Sequence, residues 1–154
     1  MCVVMSMHPK EKELVAIGIS VATGCRPCTD HHVKVARKAR ASDDEIKQAM
    51  DDALIVRRRA ADIMEVYATA HLGENLETID PGLAGEPSRI RVIVAVGAAF
   101  AVNCVATLEH YLAAADRAGI SQDDLFETIE LAKFIKAKAA SHVDRLIGPS
   151  EEAA

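Results

Sequence analysis

From Ser42 onward apolar residues return every three or four positions, at Ile46, Met50, Ala53, Val56, Ala60, Ile63 and Tyr67. That is the spacing that lines one face of an α-helix. The same rhythm runs after Ser121 through Leu125, Ile129, Ala132, Ile135, Ala139, Val143 and Leu146. Each run opens on a start signal: Ser42 with Glu45 reads as a full capping box, and Ser121 with Asp124 as an N-cap followed by an acid at the third helical position. Pro9 suggests the start of an earlier helix, while Gly24 and Pro27 suggest another beginning near Cys25, because proline is tolerated in a first turn. Each half of the chain therefore reads helix, helix, long helix.

The halves are copies of one another. Residues 13–65 can be laid over residues 91–144 with a single one-residue gap, which brings residues 33–39 onto 111–117 and Ser42 onto Ser121. The repeats are expected at about 9–71 and 88–147, joined by a connector over about 72–87 that is dense in Gly and Pro and carries no periodicity. Three such Ala-rich helices bury too little surface to be stable alone. The expectation is one compact all-α domain over residues 1–154, with two tandem three-helix repeats packed around a pseudo-twofold axis.

Composition narrows the function classes. The 154 residues include no Trp, two Tyr and three Phe, so the apolar half is mostly small and aliphatic and suits closely approaching helices. A formal charge of −5 and a pI near 5.7, with Lys and Arg dispersed among acids, give no footprint for nucleic acid. The run from Met1 to Met5 is too short for a signal-peptide core and lacks a basic flank, and no apolar run reaches the roughly 18 residues of a membrane span. A soluble cytoplasmic protein is expected. In that compartment four cysteines are no disulfide framework. Cys2 reads as a tail residue and Cys104 as a small buried hydrophobe.

The remaining pair carries chemistry. Glu13, Cys25, Cys28 and His32 form the pattern Glu-x11-Cys-x-x-Cys-x-x-x-His. On a helix starting near Cys25, positions three and four apart stack on one face, so both sulfurs and the imidazole share a stripe. The thiols then sit at the positive helix end, which favours thiolate and lowers a thiol pKa from about 8.5. His32 can take the thiol proton, and Glu13 on the neighbouring helix can orient the ring or pass the proton on. In the gapped superposition Cys25 meets Asn103, Cys28 meets Ala106, Glu13 meets Arg91 and His32 meets His110. This makes the N-terminal half the reactive one. Position at the helix end favours Cys25 as first attacker and adjacency to His32 favours Cys28; the spacing leaves both open.

These four residues resemble the signature of the AhpD-like, carboxymuconolactone decarboxylase superfamily, and the similarity covers both halves. The resemblance implies an AhpD-like helical bundle and an oligomer, with a homotrimer as first expectation and a hexamer as the alternative; no cofactor or resident metal is expected. The cysteine pair points to the alkylhydroperoxidase branch rather than the decarboxylases. There Cys28 attacks a hydroperoxide as thiolate, Cys25 resolves the sulfenic acid as a disulfide, and Glu13 with His32 relays protons. The disulfide is then reduced by an external dithiol, a lipoyl group or a thioredoxin-like donor; a plain disulfide substrate fits as well. Two departures mark this chain. Pro27 stands where the AhpD pattern has a second histidine, with His31 close by, and the reactive set lies in the N-terminal rather than the C-terminal repeat.

The rival reading is a non-catalytic helical assembly module in which Cys25, Cys28, His32 and Glu13 hold zinc, or in which the cysteines act as a passive redox sensor. His8, His31, His71, His110 and His142 read as ordinary packed or surface residues. Arg57, Arg58 and Arg59 read as a solvated face answering Asp51 and Asp52. No phosphate-binding glycine loop is present.

Overall fold

Four of the six helices begin on a side chain that caps their first turn. His8 Nδ1 accepts from the Lys10 N–H at 3.3 Å, Pro9 fills the first turn, and α1 runs Pro9–Thr23 until Gly24, whose φ of 74° ends it in the left-handed region. Cys25 caps α2 (Arg26–Lys38). Ser42 caps α3 (Asp43–Ala70) through the full box: its Oγ accepts from the Glu45 N–H, and Glu45 Oε1 accepts from the Ser42 N–H, both at 3.1 Å. After the non-helical connector come α4 (Arg89–Ala101), α5 (Val105–Arg117) and α6 (Gln122–Ile147), the last capped by Ser121 Oγ on the Asp124 N–H at 3.1 Å. This is the architecture of a computed structural model that describes residues 7–148, all-helical among the described residues. It is an AhpD-like helical bundle. No helix among those residues is long and apolar enough to cross a membrane.

Helices α1 and α4 form the centre. Val15, Ala16, Ile17 and Ile19 face the same interior as Val92, Ile93, Val94, Ala95 and Val96, all essentially inaccessible to water. Burying a Val or Ile side chain contributes roughly 1.5–3 kcal/mol, so this pair of helices holds a large share of the driving force. Both helices touch both long helices, α3 and α6, so the two halves share one core. Two glycines allow the close crossing: a Cβ on Gly18 would lie 2.7 Å from Val94 Cγ1, and one on Gly97 would lie 2.8 Å from Ile19 Cγ1. The glycines are equivalent positions of the two repeats.

That equivalence corrects the superposition read from the sequence. The repeats align at one constant offset, without a gap, pairing Gly18 with Gly97, Cys25 with Cys104 and Ser42 with Ser121. Backbone caps fix this register. The Cys25 N–H donates to Ser20 O at 3.0 Å and the Cys104 N–H to Ala99 O at 3.1 Å, and Asn103 (φ 58°) takes the left-handed place of Gly24. Asparagine is one of the few side chains that accepts this backbone. Hence Cys25 matches Cys104 rather than Asn103, Cys28 matches Thr107 rather than Ala106, and Glu13 matches Val92 rather than Arg91. His31, not His32, matches His110, and His32 matches Tyr111.

Two smaller expectations change as well. The apolar stripes of α3 and α6 are buried only as far as about Ala60 and Ile135; beyond, Met64, Tyr67, Val143, Leu146 and Ile147 are exposed. Asp52 does not answer the Arg57–Arg59 run: it is wholly buried, gripped by Arg91 Nε and Nη2 at 3.0 and 2.9 Å and by Gln48 Nε2 at 3.0 Å. That contact raises the Arg91 pKa further above its ordinary value. Arg57 instead donates to the Val21 and Ala22 carbonyls at the end of α1, and Arg59 to Asp80 O. Cys2 lies outside the described residues.

Candidate active site

Cys25 is pinned before its side chain does anything. Its N–H donates to Ser20 O, its carbonyl accepts from Thr29 Oγ1 at 2.9 Å, and its Sγ accepts from the Cys28 N–H at 3.3 Å. The capping role that Ser and Thr play elsewhere is here played by sulfur. Cys25 and Cys28 form a disulfide, their Cα atoms 5.3 Å apart. Both residues are largely buried, 5 % and 8 % exposed. The pair sits in the first turn of α2, where unpaired N–H groups and the helix dipole stabilise negative charge on sulfur once the disulfide is open.

Glu13 on α1 meets His32 on α2, Glu13 Oε2 lying 2.8 Å from His32 Nδ1. The two side chains are 16 % and 14 % exposed, so water screens the contact only partly. With Nδ1 held by the carboxylate, the ring is fixed in orientation and its other nitrogen remains for proton exchange. Cys28 and His32 open into one cleft of about 290 Å³, lined also by Pro27, His31, Phe134 and Lys138. Cys25 does not line it. His31 packs edge-on against His32 at 4.9 Å between ring centroids, bringing a second imidazole to the cleft.

The far wall of that cleft comes from the other repeat. His142 on α6, read from the sequence as an ordinary residue, lines it with Cys28. One of its ring nitrogens and the two sulfurs all lie within 4.8 Å of one another. Among the described residues, this trio is the Cys and His grouping close enough to share a metal ion; Glu13 and His32 are not in it. The zinc set of the rival reading is not gathered. Two thiolates and one imidazole would leave a fourth position open to the cleft, a donor set that suits zinc in the reduced protein. The sequence did hold one signal for His142: it occupies the place of Ile63, an apolar stripe position, in the other repeat.

The equivalent place in the second repeat is a useful contrast. Cys104 again stands at the N-cap position, but without a side-chain capping bond, and it is a free, half-buried thiol rather than a core hydrophobe, with Sγ 3.1 Å from Thr107 Oγ1. Tyr111 replaces the imidazole, is almost wholly buried, and donates to Pro81 O at 3.1 Å. Burial raises its phenol pKa. Val92 replaces the acid. One sulfur persists, while the second sulfur and the acid–imidazole pair are absent, so the N-terminal repeat alone holds the complete set.

Residues 6–65 match the model of the carboxymuconolactone decarboxylase family. A search of curated proteins and one of solved structures return no match. The matched stretch contains Glu13, both sulfurs, His32 and most of the three helices that position them, so the reactive repeat, residues 6–65, is similar to the carboxymuconolactone decarboxylase family.

Proposed function

We propose that this chain is a thiol-dependent oxidoreductase of the alkylhydroperoxidase type, reducing a hydroperoxide at Cys28 with Cys25 as the resolving sulfur. The observation that carries the reading is a Cys-x-x-Cys disulfide at a helix start, one turn from an imidazole that a carboxylate holds at 2.8 Å. In the reduced protein the Cys28 thiolate attacks the distal peroxide oxygen and the O–O bond breaks. The alkoxide takes a proton, supplied through His32, and leaves as an alcohol. Cys25 then displaces the hydroxyl of the Cys28 sulfenic acid, which leaves as water, and the disulfide forms. Two electrons from a lipoyl or thioredoxin-like dithiol restore both thiols, and the donor leaves as its own disulfide. Cys28 is assigned the attack because it lines the cleft while Cys25 does not.

Such a protein belongs in the cytoplasm, where dithiol donors are maintained. Its exposed apolar side chains at Phe126, Phe134, Val143 and Leu146 favour a homo-oligomer, a trimer first, over an isolated chain. The test is peroxide consumption by the reduced protein with dihydrolipoamide as donor. Wild type should turn over, and Cys28→Ser should abolish turnover with an unchanged helical circular dichroism spectrum. Turnover retained by Cys28→Ser overturns the assignment.

A further inference from the structure

The chemistry proposed above leaves one proton without a carrier. Reducing the Cys25–Cys28 disulfide by an external dithiol expels a protein thiolate into a largely buried site, and that sulfur must be protonated and later ionised again. Pro27, between the cysteines, has nothing to offer. His32 has its Nδ1 committed to Glu13 and is placed for the peroxide oxygens.

We propose that His142, reaching across from the second repeat, is the acid and base of the sulfur pair itself; the proposal rests on the thiol reading above. As the dithiol's thiolate attacks one sulfur, the S–S bond breaks and the protein sulfur expelled takes a proton from the His142 imidazolium. The donor's second thiol then displaces the mixed disulfide, releasing the oxidised donor and the second protein sulfur. Two electrons pass from the donor to the protein, and the donor's remaining thiol proton recharges the imidazole through the cleft, leaving one protein sulfur as thiol and the other as thiolate.

Three observations support this. The His142 ring nitrogen lies within 4.8 Å of both sulfurs, a distance that one bridging water or a small side-chain movement closes. The ring lines the cleft into which Cys28 opens, so donor and imidazole reach the sulfur from the same side. Finally, Ile63 stands in the equivalent position of the other repeat, opposite the lone Cys104. The imidazole occurs where the sulfur pair occurs and is absent where the pair is absent.

The charged groups around His142 are Lys138 one turn earlier on α6, His31 and His32 on α2, and Glu13 on α1 acting through His32. Lys138 and the start of α2 favour the thiolate, which speeds its expulsion and leaves its protonation to a dedicated donor.

The test follows the reduction step, not peroxide. The rate at which dihydrolipoamide reduces the disulfide is measured from pH 5.5 to 9 by stopped flow, and alkylation of the Cys25 and Cys28 peptides is followed by mass spectrometry. His142→Gln should slow reduction about tenfold near pH 7 and move the Cys28 alkylation profile up by about one pH unit. Free imidazole should restore the rate to His142→Ala. Unchanged rates and profiles in a normally helical His142→Gln, or no rescue of a folded His142→Ala, overturn the proposal. So does stoichiometric zinc in the reduced wild type that blocks alkylation and is lost in His142→Gln, since the ring is then a ligand. Should neither variant fold, the wild type decides: the His142 ring signals in NMR must move when the disulfide is reduced, and unmoved signals overturn it. Normal reduction kinetics without peroxide turnover would sink the peroxidase reading and leave this one standing.

Discussion

Replacing Glu13 by Gln separates charge from geometry at the centre of the proposed relay. The side chain keeps its length and an oxygen acceptor for His32 Nδ1, so the 2.8 Å contact can persist without the carboxylate charge. A hydrogen bond to a charged group contributes about 1.5–3 kcal/mol and a neutral one about 0.5–1.5 kcal/mol. The difference, about 1–2 kcal/mol, is not much reduced by solvent, since the two side chains are only 16 % and 14 % exposed. If that stabilisation acts while His32 delivers its proton, the rate falls about 5- to 30-fold at 1.36 kcal/mol per decade. Glu13→Ala removes the orientation as well and should lose about 100-fold, the scale of a displaced general acid. Single-turnover oxidation of the reduced protein by hydroperoxide isolates this step from donor recycling, and circular dichroism checks the helices. A Glu13→Gln variant as fast as wild type, with Glu13→Ala equally fast, would show that the carboxylate is a structural acid on α1 and refute the relay.

Two further predictions concern stability. Asp52→Ala strands Arg91 beside a buried cavity; breaking a buried ion pair costs about 3–5 kcal/mol. Because the Arg91 side chain keeps 24 % exposure and can reach water, the lower end applies, about 3 kcal/mol or a melting shift of about 6–12 °C. Asp52→Leu combined with Arg91→Met should recover most of it, and a loss below about 1 kcal/mol in the single variant would refute the burial argument. At Glu45, the hydrogen bond from the Ser42 backbone, and then Lys10, hold the carboxyl below its ordinary value of 4.5. A depressed acid stabilises the fold above its ordinary range and loses that contribution as pH falls through the depressed value. The melting advantage of wild type over Glu45→Gln should therefore be present at pH 7 and vanish on acidification; an advantage that persists at pH 2 contradicts the sign.

The six helices were legible in the sequence because their signals are local. A serine capping its third N–H, a proline in a first turn and a three-four apolar rhythm each act within a few residues. The Cys25–Cys28 pair and its helix-start position were legible for the same reason. The repeat was visible, but its register was misread by one residue around the motif. Matching His32 to His110 rewarded side-chain identity, whereas the backbone is held by caps and by a left-handed residue that can be Gly24 in one copy and Asn103 in the other. Cys104 was misjudged with it, for its capping place is apparent only in the correct register.

What the sequence determined by itself, then, is whatever depends on neighbours along the chain: where helices start and stop, that sulfur occupies the head of α2, and that His32 follows one turn later. Tertiary structure decided what depends on which helices cross. Glu13 reaches His32 because α1 and α2 pack side by side, and α6 delivers His142 to a sulfur pair more than a hundred residues away in sequence. Helix crossing is set by the summed fit of small residues such as Gly18 and Gly97 over a whole interface. No short pattern encodes that sum, so a contact that depends on it becomes visible only in three dimensions.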